Sequence, residues 1–289
     1  MRSGNRQIMD LPMVSIITWD ASFREAYHAV DFMSRINYPR DKFDVTWVEY
    51  YGPARDALEQ KSTTVSNLKL ICLNASEQWH AGRCLNAGIR STSGDLLVLI
   101  DGDVVLEETF LRQAADVHAS HSLAAVYARR WDEPGEAASS NSLNIDHLKA
   151  VCRPDVNPNF GGCLIISRKT LERVGGYEEH PVFGGPGVVS GELAVRIRNA
   201  GIPVLWPPTL RVFHPWHSGT LPDTDTAQQR RQAWVLQNRS RHMDCQADAA
   251  QVDQYLRSFP AQTPSSALRQ ARERVSRFVR RVQQRARAR

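Results

Sequence analysis

The residues in this chain best suited to chemistry are two aspartates one residue apart, Asp101 and Asp103, with Gly102 between them. They directly follow Leu96-Leu97-Val98-Leu99-Ile100, a continuous apolar run of the kind that forms a strand buried on both faces. Strands of open α/β sheets present their reactive groups at the carboxyl end, which is where both acids fall. Two carboxylates this close repel one another at neutral pH unless something positive stands beside them. A divalent cation is the simplest partner, because oxygen ligands suit Mg2+ or Mn2+ and such an ion keeps positions open for phosphate groups. The pair therefore reads as a metal–diphosphate site at a strand end, set against the plainer reading of two polar residues in a turn.

The elements that must position these acids are legible as patterns. A β-branched stretch at 13–18 follows Pro12 and reads as the first strand. Over 22–36, Phe23, Ala26, Tyr27, Val30 and Met33 recur at three- and four-residue spacing, which predicts a helix stopped by Asn37-Tyr38-Pro39. Further strands are expected at 43–48, ending on Glu49, and at 68–73, with a helix at 82–89 ahead of the acid-bearing strand at 95–100. Strands alternating with helices in this way build parallel βαβ units. Past the acids come a helix at 107–118, a strand at 124–128 and a surface excursion at 132–158 rich in Pro, Gly, Ser and Asn. A glycine-led strand at 160–167 and a helix at 169–174 follow, the helix closing on Gly175-Gly176-Tyr177. A helix at 190–199 then leads to strands at 203–206 and 210–213, and the last runs into His214-Pro215-Trp216-His217.

Composition bounds the reading. With 289 residues, 42% apolar and 23% charged, the chain has the make-up of a soluble globular enzyme with ample core. No stretch reaches the length of a membrane span. The first ten residues are polar, so no secretory leader is expected. Five scattered cysteines without a Cys-x-x-Cys pair favour a reduced, cytoplasmic protein with no zinc site. The net charge of +5 belongs to the tail: residues 262–289 hold nine arginines and one glutamate, a local +8, which leaves −3 for the rest.

Taken in order, these pieces resemble the family 2 glycosyltransferases, over roughly residues 13–220. Four segments carry the resemblance: the opening strand Val14-Ser15-Ile16-Ile17; Arg83-Cys84-Leu85-Asn86-Ala87-Gly88, similar to the family's A-R-N-x-G segment; Asp101-Gly102-Asp103, matching its D-x-D metal motif; and Gly161-Gly162 through Gly175-Gly176-Tyr177, similar to its acceptor-side segment. The resemblance implies an α/β protein of the GT-A fold, with a mixed, mostly parallel central sheet flanked by helices. It implies a catalytic domain over 1–235, with a nucleotide-binding half at about 13–106 and an acceptor half at about 107–220, and a helical extension over 236–289.

What the family does is then the expectation here: metal-dependent transfer of a sugar from a nucleotide-diphosphate donor, a UDP-sugar foremost, to an acceptor hydroxyl on a glycan, glycolipid or small molecule. By the same resemblance Glu49 would touch uracil or ribose, Arg83 and Asn86 would lie near the nucleotide, Asp101 would reach the ribose or a metal-bound water, and Asp103 would bind Mn2+ or Mg2+ directly. His214 follows a strand as the third metal ligand does in related enzymes; His217 is the competing choice, and Trp216 between them makes a substrate contact. Arg211 would add charge for the departing diphosphate.

One departure matters. The family's E-D-x-[DE]-L-x-x-R signature supplies an acceptor-activating aspartate. Here Glu192, Leu193 and Arg196 align with its later positions, but the E-D pair falls on Val189-Ser190. A serine hydroxyl is no general base unaided. The expectation is that Glu192 takes the role, its pKa raised by apolar surroundings, with transfer by inversion; its plainer reading is an acid favoured at a helix start. Glu178 and Glu179 are weaker stand-ins.

The tail from Pro264 sets Leu268, Ala271, Val275, Phe278, Val279 and Val282 on one helical face with arginines around it. Docking on the catalytic domain or on a twin subunit is the leading expectation, with contact to the inner membrane surface as the alternative. Nucleic acid is not expected as a partner, because no aromatic-interleaved basic patch accompanies the tail. Three rivals remain: a degenerate glycosyltransferase acting as a binding scaffold, a haloacid-dehalogenase-type phosphatase using Asp101 as nucleophile, and a sugar-nucleotide synthase. The phosphatase lacks a later lysine followed by an Asp-Asp pair, and the synthase lacks a glycine-rich loop after the first strand.

Overall fold

The central sheet is built around the apolar run that ends in the two aspartates. The computed structural model describes residues 11–24, 26–135, 138, 143–155, 159–186, 189–217, 226–239 and 249–259. In it β4 (Leu96–Asp101) pairs in parallel with β1 (Val14–Asp20) and antiparallel with β8 (Cys163–Ser167). The sheet extends on one side through β2 (Phe43–Glu49) and β3 (Leu68–Cys72), and on the other through β5 (Ala125–Tyr127) and β9 (Val204–Leu205). Seven strands thus run in the order β3-β2-β1-β4-β8-β5-β9, with β8 opposed to its neighbours. This is the mixed, mostly parallel sheet that the sequence implied.

Successive side chains of a strand point to opposite faces, so an unbroken apolar strand requires a core on each side. Leu96, Val98 and Ile100 enter one core, with Val30 and Met33 of α1 (His28–Met33) and Leu111 and Ala114 of α4 (Phe110–Ser120). Leu97 and Leu99 enter the other, with Leu85 of α3 (Ala81–Arg90), Leu171 of α6 (Arg168–Arg173) and Leu193 of α7 (Val189–Asn199). Directly after β4, Gly102 passes close to its neighbours: a Cβ there would lie 2.6 Å from the Trp19 carbonyl oxygen.

Several elements differ from the sequence expectation. The helix predicted over 22–36 is confined to α1, because Ser22 turns with φ 56° and side chains at two strand ends bind its neighbourhood. Glu49 Oε1 accepts the Ser22 amide at 2.6 Å and Asp20 Oδ2 accepts the Arg24 amide at 3.1 Å. A helix the pattern did not show, α2 (Asp56–Thr64), precedes β3; only its Leu58 is buried, so it carries almost no apolar stripe. The expected excursion at 132–158 holds α5 (Ile145–Val151), capped by Asn144. It also supplies part of a second sheet, in which β10 (Arg211–His214) pairs in parallel with β6 (Arg129–Asp132), and β6 pairs antiparallel with β7 (Arg153–Pro154).

The helix α8 (Thr226–Arg239) runs through the boundary expected at 235. Its Val235, and Val252 of α9 (Ala249–Arg257), belong to the same core as α3 and α7. The basic tail from 264 lies outside the described residues. Among the described residues no helix is long and apolar enough to cross a membrane.

Candidate active site

The site forms where the end of β4 meets the end of β10. Just beyond the acids, Val105 and Phe213 exchange backbone hydrogen bonds of 2.8 and 3.0 Å, an antiparallel bridge that ties the segment after β4 to β10. That bridge sets His214 beside Asp103 although 111 residues separate them. Asp103 Oδ2 lies 3.3 Å from His214 Nε2 and 3.2 Å from His217 Nε2, and the two Nε2 atoms are 3.2 Å apart. Three ligand atoms therefore form a nearly equilateral triangle.

This donor set fits a metal ion. An octahedral cation with bonds of about 2.1 Å separates neighbouring ligands by about 3 Å, the edge of one face of its coordination shell. Asp103, His214 and His217 would hold such an ion by one carboxylate oxygen and two imidazole nitrogens. Both histidines, rather than one of them, converge on Asp103.

The surroundings prepare these ligands. His214 is the register partner of Asp132 across β10 and β6, and its Nδ1 lies 3.0 Å from Asp132 Oδ1. With one proton on Nδ1 at that contact, Nε2 would bind a metal by giving up the proton it shares with Asp103. Glu133, buried next in the chain, holds the loop that carries His217. Its amide donates to the His214 carbonyl at 3.0 Å, its Oε2 accepts the Trp216 amide at 2.9 Å, and its Oε1 meets His147 Nε2 of α5 at 2.8 Å. Burial pushes the Asp103 carboxyl up, but the two imidazoles and the Arg24 guanidinium outweigh it and hold it well below the usual range. Asp101, buried and beside a charged Asp103, is raised. For His214 burial acts downward, and the bond to Asp103 overrides it, so the imidazole is raised.

Asp101 is oriented by Trp19, whose Nε1 donates to Oδ1 at 3.0 Å. A Cβ added at Gly161 would lie 3.5 Å from Ser190 Oγ and 3.7 Å from Asp101 Oδ2. Gly161, Ser190 and Asp101 therefore line one space, and the Gly161 and Gly162 amides are fixed on Asn159 Oδ1 at 2.9 and 3.0 Å. Trp216 is half exposed, with its ring over Gly135.

Five residues expected at the site have partners within the fold. Glu192 is fully buried and grips Arg196 with both oxygens, at 2.8 and 2.6 Å. Arg196 in turn donates to the carbonyls of Val174 and Gly176, so the pair pins the turn after α6. Glu192 was expected as the general base; in the structure each of its oxygens is engaged by Arg196. Asn86 spends its amide on the same turn, donating to the Tyr177 carbonyl and to Glu179 Oε1 and accepting the Tyr177 amide at 2.9 Å. Gly176 is needed there, since its φ is +73° and a Cβ would come within 2.9 Å of Asn86 Oδ1. Glu49 is 1% exposed, and its Oε1 accepts from both the amide and the hydroxyl of Ser22, so it shapes the loop after β1. Arg83 stays near the surface, paired with Glu77, and Arg211 pairs with Glu107 at 2.8 Å.

Arg24, Asp132, Glu133 and His147 were not visible as site residues in the sequence. For Asp132 a signal existed in principle, a carboxylate at the end of a short strand, but its pairing with β10 was not readable.

No protein-family model matches the chain. A curated relative, the glycosyltransferase AglE of Haloferax volcanii, is 23% identical over 185 residues, which cover 61% of this chain and 59% of that protein. The chain thus spans about three fifths of the curated relative it matches. Among solved structures, it is similar to the mannosyltransferase PcManGT from Pyrobaculum calidifontis, solved in complex with GDP-Man and Mn2+, with a TM-score of 0.54 and 16% identity over 96% of this chain and 84% of that one. It is also similar to S. aureus TarS in complex with UDP-GlcNAc, with a TM-score of 0.59 and 14% identity over 85% of this chain and 71% of that one. The fold is the GT-A fold of nucleotide-sugar glycosyltransferases. The dehalogenase-type reading of Asp101 falls with this result.

Proposed function

We propose that this chain is a metal-dependent glycosyltransferase that moves a hexosyl group from a nucleotide-diphosphate donor, a UDP-sugar foremost, to an acceptor hydroxyl. The observation that carries the reading is the triangle of Asp103, His214 and His217 at the carboxyl end of β4. A scaffold has no use for three ligand atoms converged in this way. The similar structures of PcManGT with GDP-Man and Mn2+ and of TarS with UDP-GlcNAc, and the likeness to AglE, support the same class of reaction.

The residues divide the work. Asp103, His214 and His217 hold the ion, with Asp132 fixing the tautomer of His214. Two imidazoles favour Mn2+ over the harder Mg2+. When bound, such a cation stabilises the charge that grows on the departing diphosphate. Asp101, held by Trp19, faces the donor ribose. The acceptor, a glycan, glycolipid or small-molecule hydroxyl, enters between Gly161–Gly162 and the start of α7 at Ser190, with Trp216 available as an apolar face for a sugar ring. Transfer by inversion needs a group that takes the acceptor proton; Glu192, the residue expected in that role, is paired with Arg196 through both carboxylate oxygens.

Calorimetric titration with UDP and with GDP, with and without Mn2+, tests the reading on wild type and Asp103→Ala. Nucleotide binding that needs Mn2+ and disappears in the variant is expected. A wild type that binds neither nucleotide with Mn2+ present would sink the proposal.

A further inference from the structure

We infer that Arg24 is a diphosphate-binding residue that couples metal binding to donor binding, an inference that rests on the metal-dependent donor site proposed above. The Arg24 Nη2 donates to Asp103 Oδ2, the same oxygen on which His214 and His217 converge. Its Nε is buried and has no hydrogen-bond partner among the described residues. The backbone of Arg24 is anchored, its amide bound to Asp20 Oδ2 at 3.1 Å, in the loop between the Ser22 turn and α1. The other arginine facing Asp101, Arg130, is already committed to Asp132 at 2.8 Å and to Asp155 at 3.4 Å. Arg24 thus keeps a buried donor to spare directly beside Asp103.

A guanidinium and a divalent cation repel each other when they share one carboxylate oxygen. Closing the Asp103–His214–His217 triangle on an ion requires Arg24 to leave Oδ2. Its anchored backbone keeps the guanidinium within a side chain's reach of the ion, where a nucleoside diphosphate would bring its negative oxygens. The planar fork of arginine matches phosphate geometry, and both Nη2 and the unpartnered Nε gain acceptors there. Metal alone must displace Arg24 without compensation, whereas metal with diphosphate gives Arg24 a new partner. Each ligand then strengthens the other, by the same factor in both directions.

The test measures Mn2+ binding to the full chain, by the paramagnetic resonance of free Mn2+ and by calorimetry, with no nucleotide, with UDP, with GDP and with UMP. Wild type, Arg24→Gln and Arg24→Lys are compared. In wild type, UDP or GDP should tighten Mn2+ on the order of tenfold or more, and UMP, which lacks the second phosphate, much less. Arg24→Gln should bind Mn2+ more tightly than wild type in the absence of nucleotide and lose most of the coupling. Arg24→Lys, with charge but no fork, should fall between the two, and it carries the test if the glutamine variant folds poorly. Coupling retained in full by Arg24→Gln, or bare Mn2+ binding weakened by it, overturns the role of Arg24 while metal-dependent nucleotide binding by wild type leaves the donor site standing. A wild type that binds neither UDP nor GDP with Mn2+ overturns both.

Discussion

The imidazole of His214 is held by Asp132 from the strand alongside, Nδ1 to Oδ1 at 3.0 Å, with Nε2 turned toward Asp103. A carboxylate behind a metal-binding histidine fixes its tautomer and raises its basicity. Replacing Asp132 by Asn or Ala should therefore weaken Mn2+ by about 10- to 100-fold, the alanine more than the asparagine. Resonance titration of free Mn2+ reads this directly. Unchanged affinity in both variants would mean that Asp132 serves only its ion pair with Arg130.

The buried pair of Glu192 and Arg196 is a matter of stability. Removing one partner of such a pair leaves an uncompensated buried charge and costs about 3–5 kcal/mol. Glu192→Ala should lose that much in urea unfolding, and Glu192→Leu with Arg196→Met should recover a large part of it. A Glu192→Gln protein that keeps wild-type stability and nucleotide binding but loses transfer would restore Glu192 as the base.

Metal binding should register as stabilisation. A ligand at 100 times its Kd that binds only the folded state adds about 2.7 kcal/mol, which in a chain of this size raises Tm by a few degrees. Mn2+ with UDP should do so, a chelator should reverse it, and Asp103→Ala should show no shift. Mg2+ at equal concentration should give the smaller effect, because two of the three ligands are imidazoles.

Glu49 offers a dependence on pH. Burial foremost, and then the neighbouring Asp20 carboxylate, raise its pKa above the ordinary glutamate value. An acid whose folded pKa is raised stabilises the fold most below its unfolded pKa and loses that contribution as pH rises through the folded value. Glu49→Gln keeps an acceptor for Ser22 and removes the charge. Its urea midpoint should exceed that of wild type at pH 7, and the difference should vanish as pH falls below the ordinary glutamate range. A midpoint lowered at pH 7 would show that the charged carboxylate is needed to hold the Ser22 turn.

Much of the fold could be read without coordinates, because its signals are local. The apolar β4 run demanded a core on each face, the three- and four-residue spacings marked helices, and Gly175-Gly176 marked where α6 stops. α2 escaped since it buries only Leu58 and so shows almost no periodicity. Of the second sheet only β10 was read, as a strand at 210–213; β6 and β7, four and two residues long, are too short for alternation to declare itself.

For the site, the sequence by itself determined the chemical inventory: two aspartates at a strand end, a histidine pair three residues apart, and a serine where an acid was expected. Tertiary structure decided which of these groups meet and which are already engaged. The Val105–Phe213 bridge brings together Asp103 and two histidines 111 and 114 residues away, a contact no local pattern encodes. Tertiary packing paired Glu192 with Arg196, Asn86 with the turn at Tyr177 and Glu49 with Ser22, and placed Arg24 on Asp103. The physical reason is that a side chain's type fixes what it is able to bind, whereas its free valence depends on neighbours distant in the chain.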